Sequence, residues 1–189
     1  MSPEKINYRW WSAAEATFIK LKCFCRISIG NWQNQPMVLL PENFIFEKKI
    51  MEKRETITVA TEINAAIDTA WKAWNNAGDI VQWNAASDDW HTTKAENNLQ
   101  PGGKFSYRME AKDGSFGFDF GGTYDKVIPY QLIEYTIGDG RKVQVQFSSR
   151  NNKTLIEETF EAENQNSIDM QKAGWQAILD NFRKHCESL

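Results

Sequence analysis

Side chains that could do acid–base chemistry are few in this sequence, and they cluster in its central part. The candidates are His91, Arg108, Glu110 and Asp119. A general acid or base among them would need a shifted pKa inside a cleft. Arg108 and Glu110 alternate with Tyr107 along a predicted strand, so an inward Tyr107 turns both charges toward solvent. Asp119 alternates with its aromatic neighbours in the same way, and His91 stands alone. We therefore name no catalytic residue.

Motifs for nucleophilic, phosphate or metal chemistry are missing from the sequence. There is no G-x-S-x-G elbow, and "PGGK" at 101–104 lacks the spacing and the hydroxyl residue of a phosphate loop. Cys23 and Cys25 form C-x-C rather than C-x-x-C, and His91 and His185 are far apart. We expect no metal and no cofactor, and we leave enzymatic activity uncertain while leaning against it.

The bulk composition is that of an ordinary globular protein. Of 189 residues, 41% are hydrophobic and 25% are charged, and the formal net charge is -3. That charge gives no global attraction to nucleic acid. The longest apolar run is interrupted by Lys20, Lys22 and Arg26, so it predicts neither a secretory signal nor a membrane span. The odd count of three cysteines favours a reducing compartment, and we expect a cytoplasmic protein.

Charge and periodicity divide the chain near Met51. Residues 1–50 carry a net charge of +3 and residues 51–189 a net charge of -6. The first part has no sustained periodicity, and we interpret it as an irregular N-terminal extension that is either loosely attached or not native, in which case translation starts at Met51. The alternative is a basic arm that binds a partner through Trp10 and Trp11. The second part is predicted to be one domain.

The elements that must position any site are clear from Met51 onward. "ETITVATEI" alternates as a half-buried strand, and "NAAIDTAWKAWNNAGDIVQW" follows as a kinked helix pair. About six antiparallel strands come next, with Asp-Gly pairs predicting type I′ hairpins and Gly121–Gly122 predicting a bulge or a sharp bend in the sheet. Ser167 then caps a long helix, in which Gly174 predicts a close approach to a strand. This order indicates an α+β fold.

These segments resemble a known family. "PGGKFSYRMEAKDGSFGFDFGGTYDKVIPYQLIEYTIGDGRKVQVQF", followed by "TLIEETFEAE" and "QKAGWQAILDNF", resembles the SRPBCC (START-like, helix-grip) superfamily. Within it, the match is to the branch named for the activator of heat-shock protein 90 ATPase homologue, and it runs from about residue 56 to 187. The resemblance implies a seven-stranded antiparallel sheet curled around a long C-terminal helix, with an apolar tunnel between them. Members bind lipids, hormones or polyketide intermediates there, and some are cyclases or hydrolases.

The resulting hypothesis is a protein that binds a small apolar ligand between sheet and helix. A co-chaperone-like partner of a heat-shock protein 90 and a polyketide cyclase or hydrolase-type enzyme are the alternatives. Residues 1–50 offer no counterpart of the co-chaperone's separate N-terminal domain. Aromatic and apolar side chains at predicted inward positions are the candidate cavity wall, with ordinary core as their other interpretation. They are Trp83, Trp90, Tyr107, Met109, Phe118, Phe120, Phe147, Trp175, Leu179 and Phe182. Asp88 or Asp89, in a loop between two of the tryptophans, would contact a polar ligand head.

Overall fold

Seven strands and three helices follow one another in the predicted order. The computed structural model describes residues 54–189, and the interpretation of residues 1–50 therefore lies outside the described part of the chain. The elements are β1 (Thr56–Ile63), α1 (Ile67–Asn75), α2 (Ala77–Trp83), β2 (Trp90–Asn97), β3 (Lys104–Ala111), β4 (Gly117–Ile128), β5 (Leu132–Ile137), β6 (Lys142–Arg150), β7 (Lys153–Glu161) and α3 (Ile168–Cys186).

All seven strands form one antiparallel sheet. The strand order is β1-β7-β6-β5-β4-β3-β2, so the first and second strands of the chain lie at opposite edges. The sheet is curled into a half-barrel, and α3 packs along β1 with α1 and α2 beside it. This is the α+β helix-grip fold expected from the sequence, and the prediction of the fold class is confirmed.

Alternation in β1 creates part of the core in the way the sequence predicts. Ile57, Val59 and Ile63 are at most 4% exposed and Thr61 on the same face is buried, while the alternate residues Thr58, Ala60 and Glu62 are exposed. The free edge of β1 is covered by α3. The Gln176 side-chain amide accepts from the Ala60 N–H at 3.3 Å and donates to the Ala60 C=O at 3.1 Å. These two bonds satisfy backbone groups that would otherwise be open to another strand.

Polar caps fix the starts of α2 and α3. The Asn76 side chain accepts from the backbone N–H groups of Gly78 and Asp79, so Asn76 begins α2 as well as ending α1. Ser167 caps α3 by accepting from the Met170 N–H at 3.2 Å, as predicted. In the described part of the chain, no helix is both long and apolar enough to cross a bilayer.

The Asp-Gly hairpins are present, but their turn type differs from the prediction. Only the glycines, Gly114 and Gly140, have positive φ, at 73° and 82°. A type I′ turn would need positive φ at the aspartates as well. Instead the Asp113 and Asp139 side chains accept from the backbone N–H two residues on, at 2.9 and 3.0 Å. This local bond favours a turn in which only the following glycine is left-handed.

The predicted bulge at Gly121–Gly122 and the predicted close approach at Gly174 are wrong, each for an identifiable reason. The register shift in β4 lies between Tyr124 and Lys126 rather than at Gly121–Gly122. A Cβ on Gly122 would stand 2.5 Å from the Thr136 carbonyl oxygen, so this glycine permits a close strand approach. At Gly174, by contrast, no other described element approaches the Cβ position closely. Beyond its own helix backbone and chain neighbours, no described atom lies within 4 Å of the Cβ position, so close packing does not require this glycine.

Candidate functional site

A small cavity lies between the concave face of the sheet and the helices. Its volume is about 40 Å³, room for a few water molecules. Eight of its eleven lining residues are aromatic, and only two, Asn84 and Glu158, have fully polar side chains. The lining residues are Trp74, Trp83, Asn84, Phe105, Tyr107, Phe120, Tyr124, Tyr135, Glu158, Trp175 and Ile178.

Tryptophans from all three helices form the helical side of the cavity. Trp74 of α1 and Trp83 of α2 stack with ring centroids 5.1 Å apart. The Trp83 Nε1 donates to the Ala73 carbonyl at 3.1 Å, which fixes the indole orientation. Trp175 of α3 stacks on Phe160 of β7 at 4.0 Å, with only 12° between the ring planes. Helix and sheet are therefore joined by aromatic contact next to the cavity.

Glu158 is the one acidic residue of the cavity wall. It lies on the inward face of β7 between Ile156 and Phe160 and is 5% exposed. Among the described residues its carboxyl accepts one hydrogen bond, from the Tyr135 hydroxyl at 3.2 Å. Burial raises the pKa of Glu158 to about 8, and the Tyr135 bond opposes that rise. The carboxyl is therefore mainly protonated at neutral pH.

Three tyrosines line the sheet side of the cavity together with Glu158. The Tyr124 hydroxyl donates to the Asn97 Oδ1 at 2.7 Å, and Tyr107 interacts with Tyr124. Burial raises the pKa of Tyr124 to about 12 and the pKa values of Tyr107 and Tyr135 well above their usual range. The neighbouring Glu158 charge raises the last two further. All three hydroxyls stay neutral at physiological pH and can serve only as hydrogen-bonding groups.

The structure brings four of the ten predicted wall residues together around this cavity. Trp83, Tyr107, Phe120 and Trp175 line it. Three others, Trp90, Met109 and Phe118, form a separate buried cluster toward the β2–β3 side, and Phe120 touches both groups. The remaining three belong to the main core without lining the cavity; they are Phe147, Leu179 and Phe182.

The charges predicted to face solvent do so. Arg108 pairs with Glu110 at 2.8 Å and with Asp119 at 3.6 Å, and these side chains are 39%, 36% and 58% exposed. Asp88 and Asp89 lie on the surface, and neither lines the cavity. Among residues 54–189, no group of three or more His, Cys, Asp or Glu side chains is placed to hold a metal ion.

Glu158 and Tyr135 were missed by the sequence analysis, although alternation indicates both. Ile156 and Phe160 share one face of β7, and residue 158 has the same parity. Tyr135 likewise shares a face with Ile133 and Ile137. The charge of Glu158 argued for a solvent position, because ionisable side chains are rarely buried without a charged partner. Strand parity was the stronger signal.

The comparisons with known proteins agree with this fold. A family profile described as "Activator of Hsp90 ATPase homolog 1-like protein" matches residues 64–187. The chain belongs to this family. A solution structure of an AHSA1-like protein from Aeromonas hydrophila is 45% identical, with a TM-score of 0.68, and the alignment covers 71% of this chain and 93% of that one. The expected superfamily branch is thereby confirmed.

Two other solved structures extend the comparison. A solution structure from Cytophaga hutchinsonii is 48% identical with a TM-score of 0.63, covering 70% of this chain and 92% of that one. A crystal structure from Chromobacterium violaceum has the same TM-score of 0.63 at 18% identity, covers 70% of this chain and 96% of that one, and supports the fold alone. No curated protein matches the chain.

Proposed function

We propose that this protein binds a small molecule with an apolar body and one polar head, in the cavity beside Glu158. The observation that carries the proposal is a buried carboxyl set in an aromatic-lined space between sheet and helix. Binding sites are lined mainly by apolar and aromatic groups, with a few polar groups that fix ligand orientation. The predicted ligand was apolar; Glu158 adds a polar end to it.

A purely structural role explains Glu158 poorly. Burying a carboxyl with one neutral hydrogen bond costs free energy that an apolar residue at the same position would not cost. Its inward neighbours on β7, Ile156 and Phe160, show that the same face accepts large apolar side chains. Perturbed titratable groups inside a cavity are typical of functional sites. These points support a ligand as the missing partner of the carboxyl.

The ligand needs more space than the cavity now offers. Ligand sites measure roughly 300–1,000 Å³, against about 40 Å³ here. Trp74, Phe120 and Ile178 are the half-buried members of the cavity wall, and they come from three different elements. We propose that these side chains move apart to admit the apolar body while Glu158 and Tyr135 receive the head.

The test is a binding screen with a matched pair of variants. Small aromatic and aliphatic molecules are added to the purified protein. The NMR signals of the Ile178 methyl groups are followed in the wild type, and the thermal unfolding midpoint is followed in the wild type and in both variants. Ile178→Phe should narrow the cavity and weaken binding. Ile168→Phe, a half-buried position on the same helix away from the cavity, should leave binding unchanged. A hit that Ile178→Phe does not weaken would contradict the proposal.

An acid–base enzyme is a second candidate function. Such an enzyme needs a buried carboxyl or histidine with a shifted pKa facing the cavity, and the Glu158 carboxyl meets this requirement. A group with a pKa of about 8 is suited to proton transfer near neutral pH. Conversion of a bound molecule that stops in Glu158→Gln, while the molecule still binds, would favour catalysis over simple binding. Stimulation of an Hsp90 ATPase by the purified protein would test the co-chaperone alternative.

A further inference from the structure

We infer that the polar head of the ligand is a primary ammonium group, which pairs with the Glu158 carboxylate against the surrounding aromatic rings. This inference rests on the proposed function and names the ligand class of the same cavity. Three independent features of the cavity support it: the direction of its hydrogen bonds, its aromatic faces and its size.

The tyrosine hydroxyls present acceptors rather than donors to the cavity. The Tyr135 hydroxyl donates to Glu158, and the Tyr124 hydroxyl donates to Asn97. A hydroxyl has a single hydrogen. The interaction between Tyr107 and Tyr124 therefore uses the Tyr107 hydrogen, with the Tyr124 oxygen as acceptor. What remains on these groups is oxygen lone pairs, which a ligand satisfies by donating.

Two other side chains of the cavity wall each donate a hydrogen bond to another protein atom. The Trp83 Nε1 donates to the Ala73 carbonyl at 3.1 Å. The Asn84 Nδ2 donates to the Thr92 Oγ1 at 3.1 Å. A head that accepts hydrogen bonds could still use the second Asn84 hydrogen and the O–H of neutral Glu158, but a carboxylate head would place a second acidic group beside the buried Glu158 without neutralising it. A head that only donates, such as an ammonium, finds the carboxyl and the hydroxyl oxygens available.

Aromatic faces and cavity size define the cation further. A cation is attracted to the faces of aromatic rings, and most strongly to tryptophan. Trp74, Trp83 and Trp175 all line the cavity. An ammonium headgroup is similar in size to a water molecule, and it fits a space of about 40 Å³ beside Glu158. A trimethylammonium head would require further displacement of the wall, so we commit to a primary amine.

Binding of the ammonium changes the protonation state of Glu158. The ammonium enters with its proton, and the neutral Glu158 carboxyl loses its O–H proton to solvent, which leaves a carboxylate and an ammonium. The titratable groups facing Glu158 are the hydroxyls of Tyr107 and Tyr135, and both remain protonated at neutral pH. At pH 7, a carboxyl with a pKa of about 8 is mostly protonated, so binding releases about 0.9 proton.

The experiment is calorimetry at pH 7 with three probes of similar shape: 2-phenylethylamine, 2-phenylethanol and 3-phenylpropionate. Titrations in phosphate and in MOPS, which differ in ionisation enthalpy and contain no primary amine, give the number of protons released. We expect the amine to bind at least tenfold more tightly than the alcohol and to release close to one proton. Glu158→Gln should abolish the proton release and weaken the amine at least tenfold. Glu157→Gln, its exposed neighbour on β7, should change neither.

The outcomes separate the inference from the proposed function. If the alcohol or the acid binds as tightly as the amine, or if amine binding releases no proton, the ammonium inference is overturned while the cavity remains the binding site. If none of the three probes, nor n-butylamine, shifts the Ile178 methyl signals, the proposed function fails together with the inference. Tetramethylammonium serves as the size control and should bind more weakly than n-butylamine.

Discussion

Tyr135 donates a 3.2 Å hydrogen bond to the carboxyl of Glu158, and both residues are buried inside the sheet. Tyr135 lies on β5 and Glu158 on β7, so the bond passes across β6, the strand between them. A buried carboxyl depends strongly on its partners, because leaving it unsatisfied costs its full desolvation penalty. The predictions below follow from this pair and from the cavity around it.

Replacing the ionisable carboxyl of Glu158 should change how the free energy of unfolding depends on pH. The pKa of Glu158 is about 8 in the folded protein and 4.5 as a free side chain. Between those values the folded state binds the extra proton, so the free energy of unfolding falls as pH rises from about 4.5 to 8. Each pKa unit corresponds to about 1.36 kcal/mol, and the loss is on the order of 5 kcal/mol.

Glu158→Gln removes this dependence, and denaturant unfolding at pH 5, 7 and 9 measures it. The variant should gain stability relative to wild type as pH rises, and the difference should level off above pH 8. Glu157→Gln controls for changing the net charge of the same strand. Equal pH profiles for wild type and Glu158→Gln would show that the carboxyl does not titrate in this window.

Tyr135→Phe should destabilise the protein by about 1–3 kcal/mol, because the carboxyl loses its hydroxyl partner without losing its burial. The pKa of Glu158 should rise further, since the Tyr135 hydrogen bond lowers it. Carbon-detected NMR of labelled glutamate measures that pKa, and denaturant unfolding measures the stability. Tyr130→Phe, at an exposed turn position, should alter neither value. An unchanged Glu158 pKa in Tyr135→Phe would contradict the assigned bond.

Gly174→Ala should stabilise the protein by roughly 0.5–1 kcal/mol, since alanine is the better helix former. The added methyl group meets no described atom within 4 Å outside its own helix backbone and chain neighbours. Thermal unfolding measures the change. A lower unfolding midpoint in Gly174→Ala would mean that the space beside this residue is needed, as close helix packing would require.

Trp175→Ala should cost about 3–5 kcal/mol, because it removes the ring stacked on Phe160 and leaves a void beside the cavity. Indole should then refill that void and raise the unfolding midpoint of the variant. Phe118→Ala, in the separate cluster with Trp90, should be destabilised without being rescued by indole. Equal rescue of both variants would argue that indole binds elsewhere.

The fold was predictable because its periodicity and order are unambiguous. Ile57, Val59 and Ile63 alternate, Ser167 caps a helix with a continuous apolar stripe, and Asp-Gly pairs mark hairpins. The backbone conformation of the hairpin turns was not predictable from the sequence pattern. The Asp113 and Asp139 side chains each accept a hydrogen bond from the backbone N–H two residues on, and this bond favours a turn other than type I′. Such bonds depend on local side-chain geometry that a dipeptide pattern does not specify.

The site was predictable only in part. Alternation identifies inward residues, but it does not tell which inward residues border the empty space. Phe147 and Phe182 fill the core, whereas Phe120 and Trp175 border the cavity, and this depends on how α3 lies on the sheet. Strand parity alone places Glu158 on the inward face of β7. The sequence analysis missed this position because charged residues usually lie at the surface.

The most direct test of the account is where a bound amine lies. Protein with labelled isoleucine methyl groups and aromatic rings is mixed with 2-phenylethylamine, and intermolecular NOEs are recorded. The account predicts NOEs from the amine to the Ile178 methyl groups and the Trp175 ring, and their loss in Glu158→Gln but not in Glu157→Gln. NOEs confined to surface residues away from this cavity would contradict it.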